Sequence, residues 1–134
     1  MKKSVLKFNN PILKELKYKI NNEFSSNDNI SLDIKLETKI SKSEENAIVE
    51  VTLLIFDKEV ASEVPFKMKI VMYGEFSWDE NSDKELISKL LETNAPAIII
   101  SYIRPYVSSM TVGSGFAPLI LPVLDLSHNK VNYD

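Results

Sequence analysis

The feature that most constrains this chain is an alternation of period two. From Ile30 the even positions Ile30, Leu32, Ile34, Leu36 and Ile40 are apolar, while the odd positions Ser31, Asp33, Lys35, Glu37 and Lys39 are polar. Successive side chains of a strand point to opposite faces, so this run predicts a strand with one wet face and one dry face. Ser41 to Asn46 is a polar turn, and Ala47 to Phe56 then sets Val49, Val51, Leu53 and Ile55 against Glu50 and Thr52. The two runs predict an antiparallel hairpin. After an Asp57-Lys58-Glu59 turn the pattern returns with Val64, Phe66, Met68, Ile70, Met72, Phe76 and Trp78 on even positions and Lys67, Lys69 and Glu75 between them. Gly74 is expected to mark a bulge or bend in this long strand. Near the N-terminus, Ile12, Leu16, Tyr18 and Ile20 alternate with Lys17 and Lys19. Leu13, Leu16 and Ile20 would also suit a short helix, but the segment is assigned to a fourth strand.

The period changes at Ser82. Ser82-Asp83-Lys84-Glu85 reads as a capping box, and Leu86, Ile87, Leu90 and Leu91 follow at helical spacing. Asn94-Ala95-Pro96 interrupts this short helix, with Pro96 placed as the first residue of a longer one whose apolar face runs Ile99, Ile103, Tyr106, Val107 and Met110. Pro105 should kink that helix or be accommodated by its neighbours, since it removes the hydrogen bond to residue 101. Gly113 and Gly115 end it. The stretch from Phe116 to Leu126 is apolar but holds Pro118 and Pro122, so it is extended and neither a regular helix nor a central strand. Strands followed by helices predict an α+β fold: a four-stranded antiparallel sheet followed by a long helix packed on one face.

Composition sets outer limits on function. With 134 residues, 44% apolar and 26% charged, the chain is expected to form one domain spanning 1–134. A formal charge of −3 argues against nucleic acid as a partner. The absence of cysteine removes thiol nucleophiles, disulfides and thiolate metal sites, and a single histidine, His128, removes His-based metal clusters. No cofactor or metal is expected. Met1-Lys2-Lys3 is not followed by the apolar stretch of a signal peptide, and the longest apolar run, Ala95 to Ile103, is too short to span a bilayer. The cytoplasm is the expected location, without membrane insertion.

No residue set carries catalytic chemistry. Gly113-Ser114-Gly115 follows a helix, whereas phosphate-cradling loops precede one. The acidic pairs Glu44-Glu45 and Asp79-Glu80 sit in predicted turns with no apolar pocket to separate their pKa values. Asp125, Ser127 and His128 are sequence neighbours on a tail and are not held across a fold as a triad must be. Arg104 interrupts a greasy helix and is read as a structural ion pair or a subunit contact. What remains is a surplus of large apolar residues: Val71, Tyr73, Phe76, Trp78, Phe116, Leu119, Leu121 and Leu124 exceed what one helix on one sheet face needs. Such a surplus either completes the core or forms a protein interface or peptide groove.

The stretch from Ala95 to Leu126 resembles the signature of the SecB family of protein-export chaperones. Ala95-Pro96 opens a helix, and Tyr102-Ile103-Arg104, Ser108-Ser109-Met110 and a glycine turn follow, leading to Phe116, Pro118, Leu119, Leu121, Pro122 and Val123, in the family's order and spacing. Gly74 and Phe76 near the end of the last strand agree as well. The resemblance implies a non-enzymatic homotetramer, a dimer of dimers with the long helices between two sheets. Tyr102, Arg104, Tyr106, Ser109 and Met110 are then expected at the oligomer interface. It also implies a holdase that binds unfolded or nascent polypeptides in apolar grooves and keeps them competent for export, with Phe76, Trp78, Phe116, Leu119, Leu121 and Leu124 as client-binding residues. Export members dock the SecA ATPase through an acidic residue on the outer sheet face, a position occupied here by Lys69, with Lys67 beside it. A dedicated SecB-like chaperone of one partner, such as an antitoxin in a toxin–antitoxin–chaperone system, is the alternative. A non-catalytic scaffold that binds a folded partner is the reading from another class.

Overall fold

The computed structural model describes residues 5–24, 31–57, 64–115, 117–126 and 130–134. Ile30, the turn residues Lys58 and Glu59, Phe116, Ser127 and His128 lie outside them. The elements run β1 (Lys7–Phe8), β2 (Ile12–Ile20), β3 (Ile34–Lys42), β4 (Asn46–Ile55), β5 (Phe66–Ser77), α1 (Lys84–Glu92), α2 (Asn94–Val112) and β6 (Lys130–Tyr133). The α+β architecture is the one the alternation predicts: β3, β4 and β5 form an antiparallel meander, and β2 pairs antiparallel along β5. Val49, Val51, Leu53 and Ile55 of β4 and Met68, Ile70, Met72 and Phe76 of β5 are buried on one face. Ile99, Ile103 and Val107 of α2 complete that core.

The sheet is larger than four strands and not wholly antiparallel. Among the described residues it has six strands in the order β1-β5-β4-β3-β6, with β2 also on β5. Strand β1 covers two residues, and β6 adds to the free edge of β3 in parallel, Glu37 facing Lys130 and Ile40 facing Tyr133. Neither short strand has enough residues to display a period, so only tertiary pairing reveals them.

Gly74 differs from expectation in an instructive way. The β4–β5 register runs through it without a shift, Val49 facing Gly74. The irregularity lies instead in β2, where Leu13 faces Met72 and Glu15 faces Val71, leaving Lys14 as the extra residue. Gly74 is where layers meet: a Cβ there would stand 2.6 Å from Phe8 Cε1 and 2.9 Å from Ile99 Cδ1. Absence of a side chain lets β1 and α2 close over the sheet.

The helices start differently in detail. Asp83, not Ser82, is the N-cap of α1, accepting from the Glu85 backbone N–H at 3.1 Å. Pro96 is the third residue of α2, within the first turn where its missing N–H costs nothing. The helix continues through Pro105. Ser101 and Pro105 are both exposed, so the carbonyl left without a helical donor faces water. Gly113 is the C-cap of α2, and Gly115 adopts a φ of 88° that turns the chain into the tail.

Candidate functional site

The 3.6-residue period divides α2 into three stripes. Ile99, Ile103 and Val107 are buried on the sheet. Arg104, Ser108 and Thr111 form the second stripe and meet the tail. Tyr102, Tyr106, Ser109 and Val112 form the third and are exposed.

The second stripe holds the tail by its main chain. The Arg104 guanidinium donates through Nη1 to the Leu121 carbonyl and through Nη2 to the Pro122 carbonyl at 3.1 Å. Ser108 Oγ donates to the Leu119 carbonyl at 3.1 Å, and the Leu119 N–H donates to Thr111 Oγ1 at 2.7 Å. Thr111 Oγ1 in turn donates to the Val107 carbonyl at 2.9 Å, so the buried threonine is satisfied on both sides. Arg104 therefore makes no ion pair within this chain: carbonyl oxygens, not a carboxylate, accept its protons. Spacing of 104, 108 and 111 on one helix face was the available sequence signal for this clamp.

Main-chain anchoring fixes which tail side chains turn inward. Leu121 is 3% exposed and belongs to the core, and Leu119 and Leu124 pack against it. Ile120 is 80% exposed and Val123 93%. The extended backbone required by Pro118 and Pro122 alternates its side chains, which leaves one of each adjacent apolar pair outward. The tail thus presents two bare apolar side chains, and α2 separately exposes Tyr102 at 45% and Tyr106 at 38%.

The other expected client-binding residues sit deeper. Phe76 is fully buried and stacks on Phe8 with ring centroids 4.8 Å apart. Phe8 also meets Tyr102 at 5.8 Å, which links the core to the exposed stripe. Trp78 is buried beneath the Lys42 ammonium, 5.9 Å from its ring centroid. Phe76, Trp78 and Leu121 are core in this chain and offer little surface to a ligand. Phe116 is outside the described residues. Of the expected interface residues, Tyr102, Tyr106 and Ser109 lie on the exposed stripe, and Met110 is half-buried beside it.

Lys67 and Lys69 lie on the opposite, outer face of the sheet, with Lys69 3.5 Å from Glu15 Oε2. Glu15 also pairs with Lys17 at 3.1 Å, and its carboxyl is held below the ordinary range, chiefly by the hydrogen bond from Lys17. Among the described residues there is no group of acidic or histidine side chains that could hold a metal, and no helix long and apolar enough to cross a membrane.

Comparison with known proteins places this arrangement. Residues 6–128 match the family model described as preprotein translocase subunit SecB. A protein-export protein SecB of Anaplasma marginale is 31% identical over 106 residues, covering 77% of this chain and 60% of its own length. The chain therefore spans about three-fifths of that relative. An uncharacterized protein of Methanocaldococcus jannaschii, MJ0357, is 26% identical and covered to 98% of this chain and 86% of its own length. In three dimensions the fold matches the Mycobacterium tuberculosis Rv1957 SecB-like chaperone, solved in complex with a ChAD peptide from the Rv1956 HigA1 antitoxin. That match has a TM-score of 0.71 at 16% identity, over 90% of this chain and 91% of that one. With nearly the whole chain under one family model, the meander, the long helix and the clamped tail are those of a member of the SecB family.

Proposed function

We propose that this protein is a non-catalytic cytoplasmic chaperone that holds unfolded or nascent polypeptides and keeps them competent for export, acting as a homotetramer. The observation that carries the reading is the tail: its backbone is anchored by Arg104, Ser108 and Thr111, while Ile120 and Val123 stand bare to solvent. An ordered apolar edge of this kind suits chains that expose apolar side chains, which folded proteins bury. At roughly 25 cal/mol per Å² each contact is weak, so several sites must act together on one client, and a tetramer supplies them. Leu119 and Leu124 line the base of this edge. Phe76, Trp78 and Leu121 support it from the core, and Phe116 precedes it in sequence.

A second reading, a chaperone dedicated to one partner such as an antitoxin, is favoured by two observations. The Mycobacterium tuberculosis protein of the same fold carries an antitoxin peptide. The resemblance also aligns Lys69, with Lys67 two residues before it, with the acidic residue through which export members dock SecA, and a basic residue there suits a chaperone that does not use that contact. A scaffold for one folded partner is the third reading.

The test is a fluorescence titration against two unrelated polypeptides, each presented unfolded and folded, at low and moderate salt. A holdase binds only the unfolded forms and retains them in salt. Ile120→Asp with Val123→Asp, both at exposed positions, should weaken capture about tenfold or more with an unchanged circular dichroism spectrum. Leu121→Asp is unsuitable, because it buries an unpaired carboxylate. Binding to neither unfolded chain overturns general holding and leaves the dedicated role. Binding to a folded partner alone establishes the scaffold.

A further inference from the structure

The outer face of the sheet carries an unusual charge pattern at the end where β5 begins. In the β2–β5 register Lys17 stands opposite Lys69, and Lys19 stands opposite Lys67. Like charges directly opposite one another on neighbouring strands destabilise a sheet, and here two successive solvent-facing rungs carry them. The first rung extends across β4 and β3 through Leu54 to Lys35. Compensation is partial: Glu15 serves Lys17 and Lys69, and Asp57 lies 3.9 Å from Lys35. Lys19 and Lys67 have no ion pair among the described residues. Lys17, Lys19, Lys67 and Lys69 line a shallow depression of about 500 Å³ together with Leu54 and Asp57. All this sits on a chain whose formal charge is −3.

We propose that this lysine patch is a docking surface for an acidic, extended segment of a partner protein, separate from the apolar edge of α2 and the tail. Charge and geometry both select that occupant. Lys17 and Lys19 are alternate residues of one strand and Lys69 and Lys67 of the next, so each pair is spaced by roughly 6.6 Å, the spacing of alternate side chains in an extended peptide. A segment with Asp or Glu at every second position, laid along the sheet, meets one lysine per carboxylate. Its approach removes the repulsion between the paired lysines, and one apolar side chain of the segment finds Leu54. The rung beyond, Glu15, Val71, Thr52 and Glu37, bears carboxylates and ends the patch. A long polyanion such as nucleic acid would overrun that boundary onto an acidic molecule.

The full chain is titrated by fluorescence anisotropy with a short labelled peptide alternating glutamate and serine. Binding should fall steeply as salt rises through the range where the Debye length drops below about 8 Å. Lys19→Gln with Lys67→Gln should weaken it about five- to tenfold. Lys84→Gln with Lys89→Gln, on α1, should leave it unchanged. Retention of an uncharged unfolded polypeptide should be the same in all three proteins, which separates this surface from the holding of clients. Equal peptide binding by parent and patch variant overturns the proposal. So does displacement of the peptide by a single-stranded oligonucleotide of equal charge at the same or lower concentration, which would make the patch a general polyanion site.

Discussion

Glu15 offsets the like charges of one lysine rung, Lys17 facing Lys69. Its carboxylate, half-buried on β2, receives Lys17 and Lys69, and its pKa is lowered chiefly by the hydrogen bond from Lys17. A carboxyl whose folded pKa is depressed contributes stability that is fully present above its unfolded value, about 4.3 for glutamate, and is lost as pH falls through the lower folded value. Carboxyl chemical shifts should therefore place the Glu15 midpoint below the ordinary glutamate value, and Lys17→Gln should move it back up. An unshifted midpoint would break the ion-pair assignment. Substitution Lys67→Glu tests the neighbouring rung, since it replaces a like-charge pair with an opposite-charge pair facing Lys19. The midpoint of urea unfolding should rise, in contrast to most surface changes, and an unchanged or lower midpoint would mean that the two ammonium groups do not feel each other.

At the level of elements, α2 is placed by contacts at both of its long sides. Against the sheet, Gly74 admits Ile99 and Phe8 within distances no other residue allows. Gly74→Ala should cost about 1–3 kcal/mol in thermal or chemical unfolding, because the added methyl must displace both a helix side chain and the β1 ring. Relief of that cost by Ile99→Val in the double variant would identify the helix contact as the source. Additive losses would place the strain elsewhere. On the other side, Arg104, Ser108 and Thr111 bond the tail's main chain, so the tail's own side chains are free to vary while its path is held.

For the whole molecule, the exposed stripe of α2 is the surface left unfinished. Tyr102, Tyr106 and Val112 are large side chains on one face of an ordered helix, next to a core that a 134-residue chain has already closed. A chain of this size buries about two-thirds of its unfolded surface on folding alone, and burial of this face in an oligomer adds to that. Sedimentation equilibrium should give a mass four times that of the chain, and Tyr106→Asp should shift it to smaller species with the circular dichroism spectrum retained. A monomer at micromolar concentration would remove the tetramer.

The amino-acid sequence alone determined the core strands and the two helices, because their signals are local. A period of two over β3, β4 and β5 sorts the residues between faces, and a change of period at Ser82 together with Gly113 bounds the helical part. It also determined the family, since the Ala95 to Leu126 pattern spans residues whose spacing is set by one helix and one extended tail. Only the tertiary structure decided what depends on residues far apart in the chain. The β6 strand, four residues long, becomes a strand only where the β3 edge offers it hydrogen bonds. Whether Leu121 or Ile120 faces outward depends on which tail carbonyls Arg104 and Ser108 reach, and apolar content alone cannot distinguish them. Lys17, Lys19, Lys67 and Lys69 are ordinary surface lysines in the sequence; the strand register sets them face to face.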